Sequence, residues 1–130
     1  MILLDTHIVI WLLGDPNRLS QAARHAIQIA RTSGNGLAIS CLTLFEIAQL
    51  ISRSRIQVDV PLELFIQDVE ARFVVKPVTS RIAVISAQLS ATYPKDPLDR
   101  LIGATALAEG MALVTADQKI RNAPDVQTIW

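Results

Sequence analysis

Four acidic residues in distant parts of the chain have the side chains and the spacing for metal-assisted hydrolysis. They are Asp5, Glu46, Asp99 and Asp117. Asp5 and Asp117 come after short apolar runs, and Glu46 lies on the first turn of a predicted helix that follows another such run. Asp99 opens a predicted helix that leads into the last of these runs. If the runs are parallel strands, the carboxylates meet at the edge of the sheet where α/β proteins bind ligands.

Converging carboxylates have a definite chemistry. Two ionised carboxylates about 5 Å apart repel by roughly 3 kcal/mol at an effective dielectric constant near 20. Such a cluster either takes up protons or holds a cation. Carboxylate oxygens without a partnering His or Cys set favour Mg²⁺ or Mn²⁺ over Zn²⁺, and these ions suit phosphodiester hydrolysis because they orient and deprotonate water. The set predicts a metal-dependent site that cleaves phosphodiester bonds.

Each of these acids also has a structural explanation. Thr43 and Glu46 have the spacing of a helix capping box. Asp99 suits the positive end of a helix dipole, and Asp5 and Asp117 can each cap a turn after a strand. The presence of all four at one predicted sheet edge favours the functional interpretation.

The pattern of apolar runs and capping residues predicts short strands that alternate with helices. Strands are predicted at residues 1–4, 37–40, 73–75 and 112–114, with an edge strand at 128–130. Helices are predicted at residues 7–13, 20–32, 43–53, 61–71, 79–91 and 97–109, with a helical turn at 118–121. This alternation is typical of an α/β fold with a mainly parallel sheet.

The helix at 97–109 has the clearest boundaries. Asp96 and Pro97 have the pattern of an N-cap followed by a first-turn proline, and Gly110 ends the helix. Asp99 is then the third helical residue. Asp96 is either a helix cap or an acid that supports the site.

Composition limits the possible classes of protein. The 130 residues include 12 basic and 12 acidic ones, so the net charge is zero and no general attraction to nucleic acid or an anionic membrane is expected. This length suits a single domain, predicted at residues 1–130. The single cysteine, Cys41, cannot form an internal disulfide and is expected to be a buried thiol. Because no signal peptide precedes Asp5 and no uncharged run reaches the ~18–20 residues of a membrane span, we expect a soluble, cytoplasmic protein.

The motifs around the four acids resemble those of PIN-domain ribonucleases. They are Leu3-Leu4-Asp5-Thr6, Phe45-Glu46-Ile47, the stretch from Asp99 to Ala106, and the stretch from Leu113 to Asp117. Within that family the chain is similar to VapC-type toxins of type II toxin–antitoxin systems, in the branch with Asp-Pro-x-Asp-Arg-Leu, here at residues 96–101. The resemblance covers essentially the whole chain.

The resemblance implies a fold and an activity. The fold is a three-layer α/β/α sandwich with four to five short strands. The activity is that of an endoribonuclease in which water activated by Mg²⁺ or Mn²⁺ cleaves RNA. The resemblance also implies a homodimer and a VapB-type antitoxin whose tail occupies the site, with DNA contacted only through the antitoxin.

Residue by residue, the resemblance assigns the metal site to the four acids. It assigns supporting hydroxyl groups to Thr6 and Thr115, which flank two of the acids. Arg100 either contacts the RNA backbone or forms a solvent salt bridge. His7 is expected to pack or orient rather than act as a base, and Trp11 is expected in the core or at an interface.

The chain departs from the branch at two positions. Phe45 stands where tryptophan is frequent, and Gly103 stands where alanine is usual. A glycine within a helix lowers its stability by up to ~1 kcal/mol, and Gly103 allows close packing against this helix.

Other interpretations remain open from the residues alone. The chain is alternatively a stand-alone RNA-processing PIN nuclease or a catalytically silent PIN-like interaction module. A receiver domain or an aspartate-nucleophile phosphatase also places acids at strand ends, but His7 stands where the phosphatases have a second aspartate. The apolar segments at 45–51 and 62–66 either belong to the core or bind a partner's amphipathic tail.

Overall fold

The structure is a computed structural model that describes residues 1–130. Its centre is a sheet of five strands in the order β3-β2-β1-β4-β5, and every neighbouring pair is parallel. The strands are β1 (Ile2–Leu4), β2 (Leu37–Ser40), β3 (Val74–Lys76), β4 (Leu113–Val114) and β5 (Thr128–Ile129). The predicted α/β class, the parallel sheet and the terminal edge strand are confirmed.

Seven helices connect the strands. They are α1 (Thr6–Gly14), α2 (Gln21–Thr32), α3 (Cys41–Ser52), α4 (Leu62–Arg72), α5 (Ser80–Gln88), α6 (Pro97–Glu109) and α7 (Gln118–Asn122). One 3-10 turn at Pro16–Arg18, which was not predicted, links α1 to α2. None of the helices combines the length and apolar composition that crossing a membrane requires.

Two apolar cores lie on opposite faces of the sheet, because successive strand residues point in opposite directions. Leu4 and Val114 join one core with residues of α1 to α4. Their strand neighbours Leu3 and Leu113 join the other core with residues of α6 and α7. The arrangement is the expected three-layer α/β/α sandwich.

Two helix boundaries differ from the predicted ones by more than one residue. α3 begins at Cys41 rather than at Thr43, because the Ser40 hydroxyl accepts a hydrogen bond from the backbone N–H of Leu42 and caps the helix. α5 ends at Gln88 rather than at residue 91, since the next residue adopts an extended conformation. The predicted bounds of α6 and the Ser20 cap of α2 are confirmed.

Candidate active site

Asp5 lies at the carboxyl end of β1, the central strand. Its Oδ1 accepts a hydrogen bond from the backbone N–H of Thr6 at 2.9 Å, and its Oδ2 accepts one from the Thr115 hydroxyl at 2.8 Å. The Thr6 contact also caps α1. Only 9% of Asp5 is exposed, and this burial raises the pKa of its carboxyl against the opposing effect of the hydrogen bonds. The two hydrogen bonds therefore fix the orientation of the Asp5 carboxylate, while its burial leaves the negative charge poorly stabilised.

Glu46 is held by a pair of buried hydroxyl groups. The Thr6 hydroxyl donates to Glu46 Oε1 at 2.7 Å and lies 3.0 Å from the Thr43 hydroxyl. Burial, with a further contribution from the charge of Asp5, raises the pKa of Glu46. The predicted capping box of Thr43 and Glu46 is wrong, because the cap is Ser40 and Glu46 turns toward α1.

Asp96 and Asp99 have different roles at the start of α6. Asp96 Oδ1 accepts hydrogen bonds from the backbone N–H groups of Leu98 and Asp99, at 2.9 and 3.1 Å. Asp96 is therefore the helix cap. The Asp99 carboxylate is half-buried and accepts no hydrogen bond, and its pKa is raised to about 7 by burial and by the charges of Asp5, Asp96, Asp117 and Glu46.

Asp117 lies at the exposed edge of the group. Its Oδ1 caps α7 by accepting from the backbone N–H groups of Lys119 and Ile120. Its own backbone N–H donates to the Thr115 hydroxyl at 3.1 Å. Thr115 is fully buried. Its hydroxyl links the two acids, because it donates to Asp5 and accepts from the backbone of Asp117.

The donor chemistry of this group fits a hard divalent cation, although the side chains are spread out. No three His, Cys, Asp or Glu side chains lie close enough together to hold a metal ion. Burial is the main cause of the raised pKa values of Asp5 and Asp99, and the charges of neighbouring acids add to it, most clearly at Asp99. Oxygen donors of this kind are those that Mg²⁺ and Mn²⁺ prefer.

Arg100 does not contribute to this group. Its guanidinium donates to four backbone carbonyls: those of Ser86, Leu89, Tyr93 and Pro94. The Ser86 carbonyl lies in the last turn of α5, where the helix leaves carbonyls without partners. The other three carbonyls lie in the segment that follows the helix. The predicted solvent salt bridge is wrong, because Arg100 forms no ion pair. Four of its five N–H groups are used inside the fold, and the RNA contact stays a prediction for the fifth.

Two residues near the site were missed. Thr43, the partner of Thr6, was interpreted only as a capping-box residue, and nothing in the sequence indicates its contact with α1. Tyr93 is fully buried and its hydroxyl donates to the backbone carbonyl of Asp99 at 3.2 Å. A lone tyrosine before a proline gives no indication of such a contact.

The remaining residues singled out in the sequence lie around α1 and α3. The His7 ring lies 6.1 Å from that of Trp11. Trp11 also packs against the Trp130 ring, tilted by 50° from it, and lies under the Arg18 guanidinium. Trp11 is half-buried. Cys41 is free and half-buried at the first position of α3, rather than fully buried.

Comparison with known proteins identifies the family. The PIN-domain profile matches residues 2–126. The curated protein Ribonuclease VapC22 of Mycobacterium tuberculosis is 36% identical over 131 residues, covering 99% of this chain and 98% of that protein. The chain belongs to the VapC-type PIN-domain family. The recognition made from the four acidic motifs is confirmed.

Solved structures of VapBC complexes share the fold at low identity. The crystal structure of VapBC2 from Rickettsia felis, bound to a promoter DNA fragment, matches with a TM-score of 0.73 and 18% identity, covering 98% of this chain and 97% of that one. DNA-bound VapBC from Salmonella typhimurium matches with a TM-score of 0.73 and 19% identity over the same shares. At such low identity, these structural matches support the fold of this VapC-type chain alone.

Proposed function

We propose that this chain is a toxin that hydrolyses RNA phosphodiester bonds in the cytoplasm with the help of Mg²⁺ or Mn²⁺. The observation that carries the proposal is the position of Asp5 and Asp99, two acids with raised pKa values at the carboxyl edge of a parallel sheet. The VapC relative is named a ribonuclease, and its match over the full length supports the same activity here.

The proposed metal ligands are Asp5, Glu46, Asp99 and Asp117. When bound, the cation activates water for attack and offsets the negative charge that develops on the phosphate. The Thr115 hydroxyl orients Asp5, and the Thr6 hydroxyl orients Glu46. Asp96 fixes the start of α6 and so the position of Asp99.

The proposed protein partner is a VapB-type antitoxin, with the toxin itself a homodimer. The structural relatives were solved as VapBC assemblies, which supports such a partner. An apolar cavity of about 370 Å³ lies between α1, α3 and α4, lined by Ile10, Leu13, Ile47 and Phe65 among others. This cavity suits the apolar side of a partner's amphipathic tail.

Expression in a bacterial host tests the proposed function. We expect the wild-type chain to arrest growth and total RNA to be cleaved, with relief by coexpressed antitoxin. Asp99→Asn should abolish both effects, whereas Asp96→Asn keeps a competent helix cap and should retain most of the activity. Equal arrest by wild type and Asp99→Asn would reject the nuclease. Growth unaffected by the wild type, with RNA cleavage retained in the purified protein, would favour a stand-alone processing nuclease.

A further inference from the structure

A second pocket opens directly beside the acidic group. It has a volume of about 330 Å³ and lies between α1, α3 and α6. Its lining includes His7, Phe45, Glu46, Arg53, Arg55 and Leu98. Glu46 belongs to both the pocket and the acidic group, and Leu98 immediately precedes Asp99. The pocket is therefore continuous with the proposed active site.

The two arginines of this pocket are free to bind an anion. Arg53 and Arg55 are exposed, and neither forms an ion pair or a side-chain hydrogen bond. Arg100 differs from these two arginines, because its guanidinium donates to four backbone carbonyls. Guanidinium groups bind phosphate through two parallel hydrogen bonds.

The backbone conformation at the end of α3 sets the positions from which these two arginine side chains extend. Ser54 has a φ of 57°, in the left-handed region. Its N–H donates to the carbonyl of Ile51, and the N–H of Arg55 donates to that of Leu50 at 2.8 Å. This pair of hydrogen bonds is a Schellman motif, which reverses the chain at a helix end. The reversal brings Arg55 back to the pocket that Arg53 also lines.

Phe45 adds an exposed aromatic surface to the same pocket. It is 53% exposed, although it lies on α3 beside the half-buried Glu46. Aromatic rings next to arginines are the usual means by which proteins bind single-stranded nucleic acid, because every base can stack on them.

We propose that this pocket binds the single-stranded RNA segment next to the scissile phosphate. Phe45 stacks on a base, while Arg53 and Arg55 bind backbone phosphates. The proposal rests on the proposed ribonuclease function and adds the residues that position its substrate.

Electrostatics favours RNA as the occupant. The chain has a net charge of zero, so the whole molecule does not attract a polyanion. The four acids at the carboxyl edge of the sheet repel a polyanion. A nuclease with this charge distribution needs cations at the mouth of its site, and the pocket beside Glu46 supplies two arginines there.

Binding of RNA to the inactive Asp99→Asn protein tests the proposal without cleavage or metal. The probe is a short, fluorescein-labelled, random-sequence single-stranded RNA in buffer with a chelator, followed by anisotropy at several salt concentrations. The test variants, each in the Asp99→Asn background, are Phe45→Ala and the double substitution Arg53→Gln with Arg55→Gln. The matched controls are Leu64→Ala, another exposed apolar residue, and Arg31→Gln, another exposed arginine.

The two test variants should differ in a way that separates stacking from charge. Phe45→Ala should weaken RNA binding roughly tenfold, which corresponds to the loss of one stacked base, with an unchanged salt dependence. The double arginine variant should weaken binding and reduce the slope of log affinity against log salt by about 1.4, the value for two lost phosphate contacts on a single strand. The controls should bind RNA like their parent.

Cleavage kinetics separate failure of this proposal from failure of the proposed function. In the active protein, both test variants should raise KM by about tenfold or more with little change in kcat. If the wild type cleaves RNA and the variants match it in affinity and KM, the pocket does not bind substrate. If the variants lose affinity for the antitoxin but not for RNA, the pocket belongs to the protein partner, which also overturns the proposal. A wild type that neither binds nor cleaves RNA overturns both proposals.

Discussion

The phenol of Tyr93 lies against Gly103, with its hydroxyl in the space that a Cβ atom at position 103 would occupy. The same hydroxyl donates to the backbone carbonyl of Asp99, one helical turn earlier. Tyr93 therefore packs on the first turns of α6 and helps to hold the segment that carries Asp99. The close packing against α6 that Gly103 was expected to allow is confirmed.

Gly103→Ala should destabilise the protein although alanine favours helices. The intrinsic gain of up to about 1 kcal/mol is outweighed by overlap with a fully buried ring, which typically costs about 1–3 kcal/mol. Tyr93→Phe removes the overlapping oxygen, so the double variant should recover part of the loss. Urea denaturation of the two single variants and the double variant measures this coupling. A Gly103→Ala protein as stable as the wild type would contradict the packing described.

Arg100→Lys should reduce stability rather than RNA binding. Lysine cannot reproduce the four hydrogen bonds that the guanidinium makes to the carbonyls after α5. Because hydrogen bonds to charged groups contribute about 1.5–3 kcal/mol each, we expect the free energy of unfolding to fall by about 2 kcal/mol or more. Arg81→Lys, on the exposed face of α5, is the control and should change it by less than about 0.5 kcal/mol. Weaker RNA binding at full stability would instead support the predicted RNA contact of Arg100.

Thr115→Val should leave Asp5 with an unpaired carboxylate oxygen. The variant loses the 2.8 Å hydrogen bond from the Thr115 hydroxyl, so the already raised pKa of Asp5 should rise further and the rate of RNA cleavage should reach its plateau at higher pH. A buried acceptor left without a donor costs about 1–3 kcal/mol of stability. Thr115→Ser keeps the hydroxyl and should behave like the wild type in pH–rate profiles and in urea denaturation. Identical profiles for the valine and serine variants would show that this hydroxyl does not tune Asp5.

In the absence of metal, the free energy of unfolding should fall as the pH rises, because the pKa of Asp99 is raised in the folded protein. Its pKa in the folded protein is raised from 3.8 to about 7, so between these values the folded state keeps a proton that the unfolded state releases. The stabilisation is therefore present at low pH and is lost as the pH rises through about 7. Asp99→Asn cannot ionise and should lack this part of the pH dependence.

Urea denaturation in chelator at about pH 5 and about pH 8 measures the effect. Relative to Asp99→Asn, the wild type should lose stability at the higher pH. Adding Mg²⁺ should restore more stability at about pH 8 than at about pH 5, since metal ligands must be deprotonated. If the difference in free energy of unfolding between the wild type and Asp99→Asn does not change with pH, the raised pKa of Asp99 is contradicted.

Much of the fold was predictable because its signals are local. The cap at Asp96, the proline after it and the stop at Gly110 define α6 at the residues predicted. Short apolar runs with helices between them were sufficient to indicate a parallel sheet. The family motifs then indicated which strand ends carry the acids.

The contacts that orient the acids were not predictable, because they join distant residues. Thr6 binds Glu46 across 40 positions, while the nearby Thr43 gives Glu46 the local spacing of a capping box. The partners of Arg100 are carbonyls, which no side-chain pattern reveals. The left-handed Ser54 that turns Arg55 toward the site also has no signal, since glycine is the usual residue there.

The most direct test of the account is cleavage of single-stranded RNA by purified protein with Mn²⁺, with Mg²⁺ and with chelator. Asp5→Asn, Glu46→Gln, Asp99→Asn and Asp117→Asn are compared with the wild type and with Asp15→Asn, an exposed acid outside the group. We predict that the wild type and Asp15→Asn cleave only with added metal, and that each of the four variants is at least about 100-fold slower. Cleavage that persists in chelator, or full activity in Asp99→Asn, would contradict a metal-dependent carboxylate site.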